Sequence, residues 1–332
     1  MNSIPVIDLA HALHSGEDGV AHAVHLLRQA ALSSGFFYIQ NHGIATDLIQ
    51  RQFDLAEKIF ALPIEVKQKY DQSLNPSHLG FEQMAAQKSD AKARADIKEG
   101  FYCGKTYATD HPYVMAQYQG YGINQWPSLE VPEMEQQCQD YIHALEGLAK
   151  RIMQLLALSL DLNEDYFDRC CEDPMVTLKM LRYPPHPADA DEYSFGVGAH
   201  TDWGSITILA QDDCGGLEVC LPEGTWVKAP PIANSFVVNL GDLIPRWTNG
   251  LYHSNPHRVR NLFSQGRSRY SIPFFYGPNY LTAISALPGT VAPGEQYAYR
   301  PCTAGEHMEE MYLNAYTVSQ EDQKVLAYLA ED

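Results

Sequence analysis

From Val176 to Tyr276 the chain breaks into short apolar runs separated by Gly, Pro and Asn, and few architectures accept so many brief strands in succession. The runs are Val176–Tyr183, Ile206–Gln211, Leu217–Cys220, Trp226–Lys228, Phe236–Asn239, His257–Val259 and Tyr270–Tyr276. Short strands at near-regular spacing predict a closed or double-layered β architecture. Upstream the texture is helical. Val20, Val24, Leu27 and Ala31 recur at helical spacing, as do Ile49, Phe53, Ala56 and Phe60. Between them Gly35-Phe36-Phe37-Tyr38-Ile39 reads as a strand, stopped by the turn-like Asn41-His42-Gly43. A longer helix is predicted from near Pro132 to about Leu160, its buried stripe containing Tyr141, Leu145, Leu148, Ile152 and Leu155. The tail from about Glu306 returns to helix. The expected organisation is one compact domain over residues 1–332: a helix-rich part to about 165, a β core over about 175–285, and C-terminal helices over about 300–332. Residues 84–98 read as an exposed, mobile loop.

Composition narrows the function classes. Hydrophobic residues make up 45% and charged residues 19%, a globular balance. No apolar run approaches the ~20 residues of a membrane span. Met1 to Leu9 lacks a basic segment followed by an apolar one, so no secretory signal is read and a cytoplasmic location is expected. With 23 Lys and Arg against 41 Asp and Glu, the formal charge of −18 argues against nucleic acid as a partner. The seven cysteines are odd in number and form no C-x-x-C pair, which fits reduced, mostly buried thiols.

The sharpest chemical feature is Ala199-His200-Thr201-Asp202-Trp203. In an extended strand alternate side chains share a face, so His200 and Asp202 can point together at one ion. A third ligand has to arrive from a distant strand and share that face; on spacing, both His253 and His257 are available. Two imidazoles and one carboxylate leave three positions of an octahedron open, the arrangement for an iron(II) that must hold a co-substrate and O₂. A second pair, Arg269 and Ser271, also shares a strand face and suits a carboxylate, with Tyr183 able to donate from another strand. The competing reading is a buried arginine paired with a core acid.

With both motifs in view, the chain resembles the isopenicillin N synthase-like family of 2-oxoglutarate and iron(II)-dependent dioxygenases. The likeness begins at Ile4-Pro5-Val6-Ile7-Asp8-Leu9, passes through Gly35-Phe36-Phe37-Tyr38, Phe60-Ala61-Leu62-Pro63, Ile97-Lys98-Glu99-Gly100-Phe101-Tyr102 and Leu181-Arg182-Tyr183-Pro184-Pro185, and is strongest from His200 to Phe275. That last stretch includes Gly215-Gly216-Leu217-Glu218-Val219, Asn239-Leu240-Gly241-Asp242, Asn255-Pro256-His257-Arg258-Val259 and Arg269-Tyr270-Ser271-Ile272-Pro273. The resemblance implies a mainly β fold with flanking helices, a distorted double-stranded β-helix or jelly roll. It implies iron(II) on His200, Asp202 and His257, and the distal carboxylate of 2-oxoglutarate on Arg269, Ser271 and Tyr183. It further implies O₂-dependent oxidation, by default hydroxylation, of a small-molecule substrate, with release of succinate and CO₂. The Asn common in plant members two residues before this tyrosine is replaced by Leu181, which puts one co-substrate hydrogen bond in question.

Substrate contacts are expected from Phe101 and Tyr102, with Phe81, Arg246 and Phe274, which would suit a flat or apolar substrate body. Strand parity adds Lys179, on the face of Leu181 and Tyr183 unless a bulge intervenes. A lysine pointing into a barrel is costly unless it meets an anion or water, so it either contacts substrate, reaches the barrel mouth or pairs with an acid such as Glu99. His42 and His186 are expected to be structural, Gly215-Gly216 to be a hairpin turn, and Trp203, on the opposite parity from the ligands, to pack in the core. The rival readings are an iron oxidase that needs no 2-oxoglutarate, a zinc hydrolase lacking the general base of an H-E-x-x-H motif, and a non-catalytic jelly-roll binding protein.

Overall fold

A computed structural model describes residues 4–10, 17–86, 89, 96–185, 195–260, 266–291, 294 and 296–313. Its frame is a pair of β-sheets whose strand order follows from where apolar residues alternate. The larger sheet runs β1 (Val6–Asp8), β2 (Phe36–Gln40), β10 (Ser235–Leu240), β7 (Ile206–Gln211), β12 (Arg269–Gly277), β5 (Met175–Tyr183), β4 (Glu99–Cys103) and β3 (Gly80–Glu82). The smaller runs β6 (Val197–His200), β11 (His257–Val259), β8 (Leu217–Cys220) and β9 (Trp226–Lys228). Apart from the parallel β1–β2 pair, all neighbours in these two sheets are antiparallel. This is the double-layered β architecture that the strand-rich stretch predicts, and the jelly-roll core that the family resemblance implies.

The two faces of the large sheet bury different sets of side chains, as period-two alternation requires. Ile206, Ile208, Phe236, Val238, Ile272, Phe274, Leu178 and Met180 face outward into a core shared with the helices. The helix Met134–Ser159 supplies Tyr141, Leu145, Leu148, Ile152 and Leu155 to that core, the stripe its periodicity predicts, although it starts two residues after Pro132. Glu17–Ser33 and Thr46–Phe60 add Leu27, Ala31, Leu55, Ile59 and Phe60. The inner face carries Phe36, Tyr38, Tyr102, Leu181, Tyr183 and Val237, which meet Val197, Leu217, Val219 and Val259 of the small sheet. No helix among the described residues is long and apolar enough to cross a membrane.

Several local expectations need correction. Gly215-Gly216 does not close a hairpin: β7 and β8 lie in different sheets, and the pair turns the chain from one to the other. Both glycines have positive φ, 75° and 98°, and a Cβ on Gly216 would stand 2.5 Å from the Arg260 carbonyl oxygen, so no other residue fits this corner. The stretch 84–98 is exposed at Met84, Ala85 and Ala86 but not at its end, where Asp96 and Lys98 are buried. Their charges are satisfied internally, which composition alone does not reveal. The tail is helical over 304–313 and lies outside the described residues thereafter, as does His186. His42 is structural: its Nδ1 accepts the Ile44 N–H at 3.1 Å and its ring packs 4.5 Å from that of Phe236.

Candidate active site

The two sheets enclose a cavity of about 560 Å³, and the sequence-predicted ligands converge on it. His200 closes β6 and pairs in register with His257 on β11, so antiparallel pairing alone places the two imidazoles side by side. Asp202 is not on the strand, as parity reasoning assumed; β6 ends at His200 and Asp202 sits in the following loop. That loop is held close by backbone bonds: the Asp242 N–H donates to Asp202 O at 2.8 Å and Gly241 N–H to Ser205 O at 2.8 Å. A Cβ on Gly241 would lie 2.3 Å from the Gly204 carbonyl oxygen, so the approach depends on that glycine. One donor atom from each of His200, Asp202 and His257 then lies within 4.8 Å of the others. His253 is elsewhere, its N–H donating to Ala31 O at 3.0 Å.

The donor set fits a divalent transition metal. His200 Nε2 and His257 Nε2 stand 3.8 and 3.7 Å from Asp202 Oδ1, too far to hydrogen-bond to it, so three lone-pair atoms face one point without satisfying each other. His200 Nδ1 lies 2.9 Å from Gly198 O and must carry the proton, because a carbonyl only accepts; Nε2 is thereby left as the ligand atom. Burial, with the His200 imidazole beside it, pushes His257 down to about 4, so it is neutral at pH 7. Burial pushes Asp202 up, but the two imidazoles and the Thr207 and Asn239 donors outweigh it and hold the carboxyl below its usual range. Thr207 Oγ1 and Asn239 Nδ2 donate to Asp202 Oδ2 at 2.5 and 2.7 Å, which leaves Oδ1 free. Partners of this kind are worth about 10- to 100-fold in metal affinity. Asn239→Ala is therefore expected to weaken iron(II) binding by about that factor in an anaerobic titration while the fold is retained.

Arg269 projects from β12 into the same cavity and is 1% exposed. Its Nε donates to Gly215 O at 2.6 Å, Nη2 donates to Gln211 Oε1 at 3.4 Å, and Nη1 has no partner. No acid pairs with it among the described residues, so it is not a core salt bridge. The guanidinium lies 4.8 Å from the centre of the Tyr183 ring, and the Ser271 hydroxyl donates to Tyr183 Oη at 3.4 Å. Register explains the grouping: Arg269 pairs with Tyr183, and Ser271 with Leu181. A buried guanidinium with an unused N–H beside two hydroxyls is a receptor for a carboxylate.

The proposed substrate contacts divide. Lys179 and Tyr102 line the cavity. Phe101 and Phe81 do not: paired across β3 and β4, they point into the helix-facing core. Phe274 does the same, whereas its neighbours Pro273 and Phe275 line the cavity. Arg246 lies 3.6 Å from Cys302 Sγ and over the Tyr299 ring, away from the cavity wall. Trp203 is not core but lines the cavity, because the strand has already ended before it. Sequence reasoning also missed Met308, Met311 and Tyr312, brought in by the helical segment 304–313, and Lys98. Lys98 Nζ bonds Glu82, whose Oε2 also accepts the Tyr102 hydroxyl at 2.5 Å. For Phe275 the signal was present: extending the parity of Arg269 and Ser271 reaches Pro273 and Phe275, not Phe274.

Known proteins resemble this chain in sequence and fold. Residues 4–129 match the family model described as the N-terminal region of the non-haem dioxygenase in morphine synthesis, and residues 171–278 match the 2OG-Fe(II) oxygenase superfamily. A 2-oxoglutarate-Fe(II) type oxidoreductase of Emericella nidulans is 39% identical over 333 residues, covering 98% of this chain and 94% of the relative. Among solved structures, a full-length Neurospora crassa protein in complex with alpha-KG superposes with a TM-score of 0.83 at 28% identity, covering 93% of this chain and 95% of that one. A 2OG-Fe(II) oxygenase family protein of Caulobacter crescentus gives 0.82 at 25% identity, covering 95% and 99%. With this similarity along nearly its whole length, the chain belongs to the 2-oxoglutarate- and iron(II)-dependent dioxygenases, oxidoreductases that use iron(II), 2-oxoglutarate and O₂.

Proposed function

We propose that this dioxygenase hydroxylates a small molecule in the inter-sheet cavity, with His200, Asp202 and His257 holding iron(II) and Arg269, Ser271 and Tyr183 holding the distal carboxylate of 2-oxoglutarate. The observation that carries the reading is Arg269: a fully buried cation with no acid partner among the described residues, opening on the same cavity as the His-Asp-His cluster. When bound, iron(II) supplies O₂ activation coupled to the oxidation of 2-oxoglutarate to succinate and CO₂. The chain's part is placement. Gly215 O and Gln211 Oε1 aim the guanidinium, and its Nη1 is left for the co-substrate. Leu181 lines the cavity and offers no hydrogen bond, so polar contact with the co-substrate falls to Arg269, Ser271 and Tyr183. Trp203, Leu209, Leu217 and Val259 give the cavity apolar walls that exclude water from the reacting centre.

Small-molecule substrates agree with the cavity's size and with relatives such as the Neurospora protein, which is known with thymine bound. The test is a succinate-release screen over a metabolite library with iron(II), ascorbate and 2-oxoglutarate. Release stimulated by one chemical class is the expected result. Substrate-dependent O₂ uptake that proceeds without 2-oxoglutarate would overturn the co-substrate assignment and make Arg269 a substrate contact.

A further inference from the structure

Of the cavity's cations among the described residues, Arg269 is given to the co-substrate and Lys98 bonds Glu82, whereas Lys179 has neither role. Lys179 on β5 points inward opposite Tyr102, and its Nζ lies 4.4 Å from the Tyr102 ring centre and 4.8 Å from that of Phe275. Aromatic faces attract an ammonium but accept no ordinary hydrogen bond from it. No carboxylate among the described residues is in ion-pairing reach of Lys179, because the nearby acids are committed. Glu82 takes Lys98 and the Tyr102 hydroxyl. Glu99 takes Lys67 and Arg182, which removes the pairing considered from the sequence. Asp96 takes Ser89 and the Gly198 N–H. Burial, reinforced by Lys98, pushes Lys179 down to about 8 against the pull of Glu82 and Asp202, so at neutral pH it is mostly protonated, with no carboxylate partner among the described residues.

The site's charges point to what is missing. Iron(II) and the two carboxylates of 2-oxoglutarate would cancel, Arg269 offsets Asp202, and Lys98 bonds Glu82, while the buried Asp96 is held by Ser89 and the Gly198 N–H; none of these acids bonds Lys179. Its Cα stands four strand residues, about 13 Å, from that of Tyr183, which pairs with Arg269, so Lys179 lies toward the other end of the cavity from that guanidinium. Much of the remaining wall is apolar, with Leu79, Met175, Phe275, Met308 and Met311, beside a few neutral polar groups such as Gln72, Ser77 and Gln119. We propose that Lys179 is the anion-recognition residue of the substrate site, and that the substrate is a small, mainly apolar molecule bearing one carboxylate. This rests on the co-substrate reading above, since only an Arg269 occupied by 2-oxoglutarate leaves the substrate to Lys179.

Anaerobic calorimetry on the iron(II)- and 2-oxoglutarate-loaded protein tests it, using a panel of small aromatic and alicyclic carboxylic acids, each beside its carboxamide. Acids that fit are expected to bind about 30-fold or more tightly than their amides, the effect of a buried charge pair. Lys179→Met should erase the preference and Lys179→Arg keep part of it, with 2-oxoglutarate affinity unchanged in both, which also reports an intact fold. The proposal is overturned if no acid is preferred over its amide, or if the preference survives Lys179→Met. A parallel loss of 2-oxoglutarate affinity in Lys179→Met would overturn it too, by assigning the lysine to the co-substrate. Titrating 2-oxoglutarate into Arg269→Ala reads the underlying assignment separately: unchanged affinity there, with the Lys179-dependent preference intact, faults the co-substrate site alone.

Discussion

Asp202→Ala is expected to abolish turnover and to weaken iron(II) binding by more than the ~100-fold that loss of a supporting hydrogen bond can cost. The carboxylate is the only anion in the donor set, and its Oδ1 stands 3.8 and 3.7 Å from the Nε2 atoms of His200 and His257. Its removal also strands two buried donors, Thr207 Oγ1 and Asn239 Nδ2, so Asp202→Asn is the companion variant that keeps the volume. His200→Ala and His257→Ala should behave alike. Iron content after anaerobic reconstitution, read beside a melting curve, separates loss of metal from loss of fold. Near wild-type activity in Asp202→Ala would sink the assignment, and an effect from His253→Ala but not His257→Ala would move the third ligand.

Arg269→Ala should raise the KM for 2-oxoglutarate by roughly 30-fold to several thousand-fold, corresponding to about 2–5 kcal/mol for truncating one member of a buried charge pair. The structure sharpens this expectation. Because no acid among the described residues pairs with the guanidinium, its removal orphans no carboxylate there, and the co-substrate-free protein should tolerate the change. What should disappear is the rise in Tm that binding of 2-oxoglutarate is expected to bring to the wild type. Arg269→Lys should recover only part of the affinity, since a point charge cannot reproduce a fork aimed by Gly215 and Gln211. An unchanged KM with a raised substrate KM would reverse the assignment.

The comparison of sequence and structure separates two kinds of information. Where a strand has one buried face of each character, parity is readable: Lys179, Leu181 and Tyr183 share the cavity side of β5, as do Arg269 and Ser271 of β12. Four strands, Ile206–Gln211, Leu217–Cys220, Trp226–Lys228 and His257–Val259, have the bounds that their flanking Gly, Pro and Asn indicate. Parity fails on β4, where all five residues from Glu99 to Cys103 are buried and no polar alternation tells Phe101 from Tyr102. It also fails where the strand stops short, as before Asp202 and Trp203. Lys98, Met308, Met311 and Tyr312 reach the site through long-range packing, for which local periodicity carries no signal. Arg246 shows the converse: an arginine close in sequence to Gly241 and Asp242, yet turned toward Cys302 by the short helix Leu243–Trp247.

The three candidate ligands are not equivalent in what they are attached to. His200 and His257 belong to adjacent strands of the small sheet, while Asp202 is tethered through Thr207 and Asn239 to β7 and β10 of the large one. An ion bound there is a rivet between the two plates of the sandwich, at the place where they are held apart by the cavity. Metal occupancy should therefore be legible as mechanical cohesion: at iron(II) concentrations 100 times the dissociation constant, mass action adds about 2.7 kcal/mol to the folded state. Stripping the ion with a chelator should lower Tm by several degrees and raise amide exchange first along β6, the edge strand of the small sheet that carries His200. Equal melting curves with and without chelator would mean that the sheets are joined well enough without it.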